Sequence, residues 1–156
     1  MSISNSPVRN LFKLPLRSRA LASFFERILG LSELSKCYDS APKNAGTQKF
    51  LSGVLGYLDV GLQVIDTQKS LDHLPLDGPL LIVANHPLGG LEGVAITQLL
   101  LEFRPDTKVL TNNLLTRIPE LQSTFIGVDV LSKNAARENA KGIRSARQHL
   151  NAGGAL

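Results

Sequence analysis

The stretch LLIVANHPLGGLEG, residues 80–93, decides how the rest of the sequence is interpreted. Five consecutive apolar residues, 80–84, form a run of strand length, and Asn85, His86 and Pro87 follow at once. Because proline lacks the backbone N–H that a central strand needs, we expect the strand to end beside His86. A strand without polar residues is typical of a parallel sheet that is covered on both faces.

The loop that follows this strand combines two glycines with a carboxylate. Gly89 and Gly90 permit a tight turn, and Glu92 falls in the first turn of a predicted helix over 91–103. Loops at the carboxyl ends of strands are where α/β proteins place their sites. A glycine turn can bring Glu92 back to His86, where a carboxylate fixes the imidazole tautomer and supports a general base.

Each of these residues also has a purely structural interpretation. His86 can cap a chain end, and Glu92 can complement the positive end of a helix dipole. Gly89 and Gly90 can simply form a turn. Their combination at a strand end favours a functional site, but the spacing does not identify a reaction.

The apolar pattern along the chain changes near residue 59. Before it, helical spacing predicts helices over 16–29, 32–38 and 48–58. After it, strands are predicted over 60–65, 80–84, 108–111 and 124–128, with helices over 91–103 and from 132 or 134 to about 150, a helical turn over 114–118 and a further strand starting at Ala155. Alternating strands and helices predict an α/β sheet. We therefore divide the chain into an N-terminal helical portion, 1–58, and a partial α/β domain, 59–156.

Composition excludes several classes of protein. A chain of 156 residues with 43% hydrophobic and 19% charged residues is typical of a single globular domain. Its single cysteine, Cys37, excludes an internal disulfide framework and is best explained as a small buried residue. The three histidines lack metal-ligand spacing, so neither a metal nor a bound cofactor is predicted. No apolar run approaches the roughly 18 residues of a membrane span.

The basic surplus lies in the first 30 residues. This segment, which we call the basic arm, holds five basic residues and one acidic residue, whereas the other 126 residues balance. Interleaved apolar residues such as Leu11, Phe24 and Ile28 suit an anionic membrane surface. An organelle transit peptide and a helix packed on the domain are open alternatives. Nucleic-acid binding finds little support in the arm, so no nucleic-acid partner is predicted.

The stretch ANHPLGGLEG, 84–93, resembles the first motif of the PlsC-like glycerolipid and lysophospholipid acyltransferases, in which Asn-His is followed after four residues by Asp. It is more similar still to the hemolysin-like bacterial branch, with one extra residue between histidine and acid. The likeness extends more loosely through VLTNNLL, 109–115, FIGVDV, 125–130, and the segment 134–156. The resemblance implies a mixed sheet flanked by helices.

The resemblance also implies a reaction. His86 would deprotonate a hydroxyl of a lipid precursor such as a lysophospholipid, and Glu92 would orient His86. The oxygen would attack the thioester of acyl-CoA or acyl carrier protein, which serves as co-substrate. The residues expected to bind substrate are Asn85, Pro87, Leu88, Gly89, Gly90, Asn112, Val128 and Asp129. The resemblance places such an enzyme in the cytoplasm, peripherally on the inner membrane.

Three departures from the family pattern shape the expectations. Glu92 stands where relatives carry Asp, which adds one methylene. No arginine occupies positions 128–129, where many relatives bind an acceptor phosphate. A Phe-Pro-x-Gly motif is expected after the strand that starts at Ala155, so the chain is interpreted as the N-terminal part of a longer enzyme. A non-catalytic membrane- or lipid-binding fragment is the alternative function.

Overall fold

The computed structural model describes residues 31–85, 90–129 and 135–156, with only the backbone of 31–34 and 135–138. Four helices lie in these ranges: α1, Leu31–Ser40; α2, Thr47–Tyr57; α3, Gly90–Phe103; and α4, Ala135–Asn151. Two strands, β1 at Val109–Asn112 and β2 at Phe125–Val128, pair with each other. Short 3-10 turns occupy Ser70–His73, Leu115–Arg117 and Pro119–Leu121.

The sheet is parallel wherever its pairing is described. In β1 and β2 the register runs from Val109 opposite Phe125 to Asn112 opposite Val128. A second parallel contact joins Leu80 to Ala155, where the Leu80 N–H donates to Gly154 O at 3.2 Å and the Leu156 N–H donates to Leu80 O at 2.8 Å. The Lys108 N–H donates to Ala155 O at 2.9 Å and connects the two pairs.

Four extended segments therefore lie side by side in the order 80–82, 154–156, β1, β2. Helix α3 connects the first segment to β1, and α4 connects β2 to the segment at Ala155, as parallel strands require. Ala155 has no exposed surface, and its pairing confirms the strand start predicted there. The mixed sheet implied by the resemblance stays a prediction, because the described pairs are all parallel.

The main core joins the first two helices to the sheet. Its buried side chains come from α1 and the residue after it, from α2, α3 and β2, and from the 3-10 turns around residue 118, namely Tyr38, Ala41, Phe50, Leu51, Leu101, Ile118, Leu121 and Phe125. Phe50, Leu51 and Leu55 form the buried stripe of α2 that helical spacing predicts. The cluster contains residues from both sides of the boundary predicted near residue 58.

Polar contacts attach α1 and α2 to the turn at Glu120. The Tyr38 hydroxyl donates to the Glu120 carboxylate at 3.2 Å, and burial, aided by that carboxylate, raises the pKa of Tyr38 to about 12. The Thr47 hydroxyl donates to the Glu120 carbonyl at 2.6 Å. Lys43 Nζ lies 3.9 Å from the centre of the Tyr38 ring. These contacts fix the helical portion on the sheet.

Most of the predicted elements that fall in the described ranges are confirmed. Helices predicted over 32–38, 48–58, 91–103 and toward residue 150, and strands over 108–111 and 124–128, match α1 to α4, β1 and β2 within a few residues. The helix predicted over 16–29 lies outside the described residues. Cys37 is buried, as predicted, and its burial raises the pKa of the thiol.

Two predictions are wrong. Residues 60–65 form no strand, and the side chain of Ile65 is 77% exposed. High β-propensity reflects packing against neighbouring strands, and no described segment pairs with 60–65. The run 80–84 is extended as predicted but is not covered on both faces. Leu81 is 62% and Val83 84% exposed, so the face that these alternate residues share stays open.

Candidate functional site

An apolar cleft of about 360 Å³ opens beside the segment that leads to His86. Its walls come from that segment, from α3, from β1 with the residue before it, and from the end of the chain: Leu81, Ile82, Ala84, Asn85, Gly93, Ile96, Thr97, Leu100, Lys108, Val109, Leu110, Thr111 and Leu156. The α3 residues recur at three- and four-residue intervals and thus form one stripe along the helix. Most of the lining is apolar, so the cleft suits a hydrocarbon group.

Two of the elements that line this cleft also carry three of the predicted site residues, Asn85, Gly90 and Glu92. Asn85 lines the cleft, and Gly90 is the first residue of α3. Glu92 is half-buried in the first turn of that helix, where a carboxylate complements the positive end of the helix dipole. His86, Pro87, Leu88 and Gly89 lie outside the described residues, so the predicted pairing of His86 with Glu92 stays a prediction.

Asn112 is the last residue of β1 and directly follows the residues of that strand that line the cleft. Its side chain is exposed, and its Oδ1 accepts a hydrogen bond of 3.0 Å from the Leu114 N–H. This contact shapes the turn after β1. Thr111, which precedes Asn112, lines the cleft and was not among the predicted site residues.

Val128 and Asp129 lie at the end of β2, on the side of α4. Val128 is buried, and a Cβ added at Gly142 of α4 would come within 3.1 Å of its Cγ1. The side-chain amide of Asn139, also in α4, donates to the Asp129 carbonyl at 2.7 Å. Neither Val128 nor Asp129 lines the apolar cleft. Their predicted role in binding the acceptor is untested.

A second, more polar groove of about 890 Å³ lies between β2 and α4. Lys108, Lys141 and His149 are among its lining residues, and none of the predicted site residues is. The His149 ring packs against Gly154, and its Nε2 lies 3.0 Å from the Ala155 carbonyl oxygen. His149 therefore supports the chain end, and the apolar cleft remains the candidate site.

Arg104 is a buried cation that sequence patterns did not reveal. Its guanidinium makes a bidentate pair with Asp106, at 2.8 Å for both contacts, and donates to the carbonyl oxygens of Pro75, Gly78 and Gly153 at 2.9, 3.0 and 3.0 Å. Asp106 also accepts from the Ala155 N–H at 3.2 Å. We call this set of contacts the Arg104 clamp. The Arg104 hydrogen bonds lower the pKa of Asp106 to about 2.

The described part of the chain contains no group of three or more His, Cys, Asp or Glu placed to hold a metal ion. Across residues 31–85, 90–129 and 135–156, none of the helices combines the length and the apolar character that crossing a bilayer requires.

Two curated proteins are similar to this chain. A lyso-glycine lipid O-acyltransferase of Phocaeicola vulgatus is 29% identical over 112 residues, which are 71% of this chain and 38% of that protein. A protein of the same name from Bacteroides thetaiotaomicron is 28% identical over 116 residues, or 74% of this chain and 41% of that protein. The chain thus spans about two fifths of the length of these relatives.

No protein-family model matches the chain. No solved structure matches it either. The two curated relatives nevertheless agree with the sequence motif in kind, since both are named as acyltransferases that act on a lipid. The chain is therefore similar to lipid acyltransferases.

Proposed function

We propose that this protein takes part in transferring a fatty acyl group from a thioester to a hydroxyl of a lyso-lipid. The observation that carries the proposal is the position of Asn85 and the first turn of α3 in the lining of the apolar cleft. A motif whose Asn85 lines an apolar cleft suits a substrate with a long apolar tail and a reacting group at its end. The relatives' shared name supports the same reaction class.

In the proposed mechanism His86 is the general base. It accepts the proton of the acceptor hydroxyl while the oxygen attacks the thioester carbonyl carbon. The C–S bond breaks, the thiolate leaves and receives the proton from His86, and the products are an ester and a free thiol. Glu92 would orient His86 and stabilise its protonated form, as a carboxylate does for catalytic histidines.

The proposed substrates follow from the cleft and from the relatives. Burial of an acyl chain is worth about 0.8 kcal/mol for each CH₂ group, so an apolar cleft favours fatty donors such as acyl-CoA or acyl carrier protein. Because the relatives are named for a lyso-glycine lipid, a hydroxyl of that class of lipid is the proposed acceptor. The absence of arginine at 128–129 also favours an acceptor without phosphate.

The basic arm supports a place at the membrane surface. Its five basic residues and interleaved apolar residues suit shallow binding to anionic lipid headgroups. We therefore propose that the protein works peripherally on the cytoplasmic face of the inner membrane, where its lipid acceptor would be present. Replacing three of the five basic residues, Arg17, Arg19 and Arg27, by Gln should weaken the binding of the protein to anionic vesicles.

The proposal is tested by release of free thiol from a long-chain acyl-CoA in the presence and absence of a lyso-lipid acceptor. Acceptor-dependent release is expected, and His86→Ala should lower it by about 10²–10⁴-fold, the usual contribution of a positioned base. His73→Ala is the matched control because His73 is exposed in the turn Ser70–His73, outside the cleft lining. Equal turnover in the two variants would remove His86 from the mechanism.

The alternative is a lipid-binding protein without turnover, and the basic arm favours it. In that case the protein would bind anionic vesicles, and the binding would weaken as salt screens the arm. Thiol release would then be absent with every acceptor. Acceptor-dependent release that His86→Ala abolishes would exclude this alternative.

A further inference from the structure

The Arg104 clamp ties together three parts of the chain that are far apart in sequence. Its guanidinium contacts the loop at Pro75 and Gly78, the turn at Asp106, and the turn at Gly153. The residue is only 1% exposed. A buried guanidinium is stable only when its donors are paired. In Arg104 all three nitrogens, Nε, Nη1 and Nη2, donate to oxygen atoms.

Each of the three parts of the chain that Arg104 contacts lies just before an extended segment of the sheet. The segment at Leu80 starts two residues after Gly78, β1 starts three residues after Asp106, and the segment at Ala155 starts two residues after Gly153. The segments at Leu80 and Ala155 pair in parallel, and the bond from the Lys108 N–H to Ala155 O joins the latter to the start of β1. The segment at Leu80 leads to Asn85 at the apolar cleft, and β1 leads to Asn112.

The clamp therefore lies where the segments begin, and Asn85, the predicted site residue in the cleft lining, lies beyond the far end of the first of them. A strand advances about 3.3 Å for each residue, so Asn85 lies roughly 20 Å along the chain from Gly78. A slip of one residue in the pairing would shift Asn85 by about 3.3 Å and turn every side chain of the segment to the other face. Contacts that fix the starts of the segments therefore also fix the positions of their far ends.

We infer that Arg104 is a positioning residue for the proposed reaction and that it sets the register of the extended segment leading to Asn85 against the rest of the sheet. The inference rests on the proposed acyl transfer. Arginine suits this role because its planar fork can pair with a carboxylate and still donate to carbonyls. A lysine, with one compact ammonium group, cannot make the same set of contacts.

Arg104→Lys tests the inference with two independent readouts. The first is amide hydrogen exchange at Leu80, Ile82 and Leu156, whose N–H groups form the bonds between the two extended segments. We expect exchange at these amides to accelerate at least tenfold, while the amides of α2 keep their protection. The second is acyl transfer, in which kcat should fall at least tenfold at saturating acyl donor. Because Leu81, Ile82 and Leu156 of these segments line the cleft, KM for the donor should rise as well.

Arg117→Lys is the matched control, because Arg117 is an exposed residue of the turn Leu115–Arg117 and does not belong to the clamp. It should leave both readouts as in the parent protein. If Arg104→Lys does not fold, Asp106→Asn gives the same test, since it keeps a side chain of equal size but removes the charge that pairs with Arg104. Exchange should accelerate at the same amides.

The outcomes are distinct. Unchanged exchange at Leu80 and Leu156 in a folded variant would overturn the inference. Accelerated exchange with unchanged kcat would show that the clamp stabilises the sheet without positioning the site, which also overturns it. If the parent protein transfers no acyl group, the proposed function fails, and the exchange data alone decide whether Arg104 sets the register.

Discussion

The two sides of α3 differ in how they are covered. On one side, Leu101 packs into the core with α2 and the turn at Ile118. On the other, Ile96 and Leu100 face the apolar cleft beside Leu81, which is 62% exposed. One side of α3 thus packs in the core and the other lines the cleft. Because both surroundings are apolar, α3 carries apolar residues around most of its circumference. The closed side should govern stability, and the open side should govern substrate binding.

The largest effect is expected from a pair of Leu→Ala substitutions, one in each region. Leu51 has no exposed surface, so Leu51→Ala should lower the free energy of unfolding by about 2–5 kcal/mol. Leu81→Ala removes the same atoms from an exposed position and should change it by less than about 0.5 kcal/mol. Chemical denaturation measures both. Equal losses would break the division between closed core and open cleft.

The same two variants should also differ in KM for the acyl donor. Leu81 lines the cleft, so Leu81→Ala should raise KM for a long-chain acyl donor. Leu51→Ala should leave KM unchanged at a temperature where the variant is folded. A KM that responds only to Leu51→Ala would place the acyl chain elsewhere.

A smaller effect is expected from alanine at two helical glycines. A Cβ at Gly142 would overlap the Gly127 carbonyl oxygen, so Gly142→Ala would force α4 away from β2 and cost about 1–3 kcal/mol. A Cβ at Gly56 of α2 meets no atom within 4 Å, and Gly56→Ala should stabilise by up to about 1 kcal/mol through helix propensity. Thermal unfolding should therefore shift in opposite directions, and a common direction would contradict the close packing of α4 on β2.

The smallest effect is expected in acid and tests the clamp. The pKa of Asp106 is lowered from an ordinary value of 3.8 to about 2, chiefly by its hydrogen bonds with Arg104. A carboxyl with a lowered pKa binds fewer protons in the folded protein than in the unfolded one. Its stabilising contribution is therefore present above about pH 4 and is lost as the pH falls toward 2.

Unfolding measured between pH 5 and pH 2 should show this loss in the parent protein, with a smaller contribution of the same sign from Asp66, whose pKa is also lowered by backbone hydrogen bonds. Asp106→Asn should flatten the Asp106 part of the profile. A profile that keeps its full slope in Asp106→Asn would assign the acid sensitivity to other groups.

The sequence predicted the elements whose side-chain pattern is local. Helix α2 was predicted because Phe50, Leu51, Val54, Leu55 and Leu58 recur at helical spacing. The structure buries Phe50, Leu51 and Leu55, whereas Leu58, just beyond the helix, is 46% exposed. The segment 60–65 was misassigned because its β-branched residues favour a strand only where a partner strand exists. Pairing depends on distant residues, and no local pattern reports it.

The candidate site was predicted in part for the same reason. Asn85 and Glu92 were identified from one contiguous motif; Asn85 lines the cleft, and Glu92 lies in the first turn of α3, whose Gly93 lines it as well. The Arg104 clamp was missed because three of its acceptors are backbone carbonyls, which any residue provides. The sequence Arg-Pro-Asp at 104–106 could have suggested only the ion pair between Arg104 and Asp106.

The identity of the reaction product tests the central claim most directly. The protein would be incubated with an isotopically labelled long-chain acyl thioester and a lyso-glycine lipid, and the lipids would be analysed by mass spectrometry. We expect a lipid that has gained one labelled acyl group as an ester of its hydroxyl, with His86→Ala forming little and His73→Ala forming a normal amount. Labelled free fatty acid without the ester, or ester formation that His86→Ala does not reduce, would contradict the proposed acyl transfer.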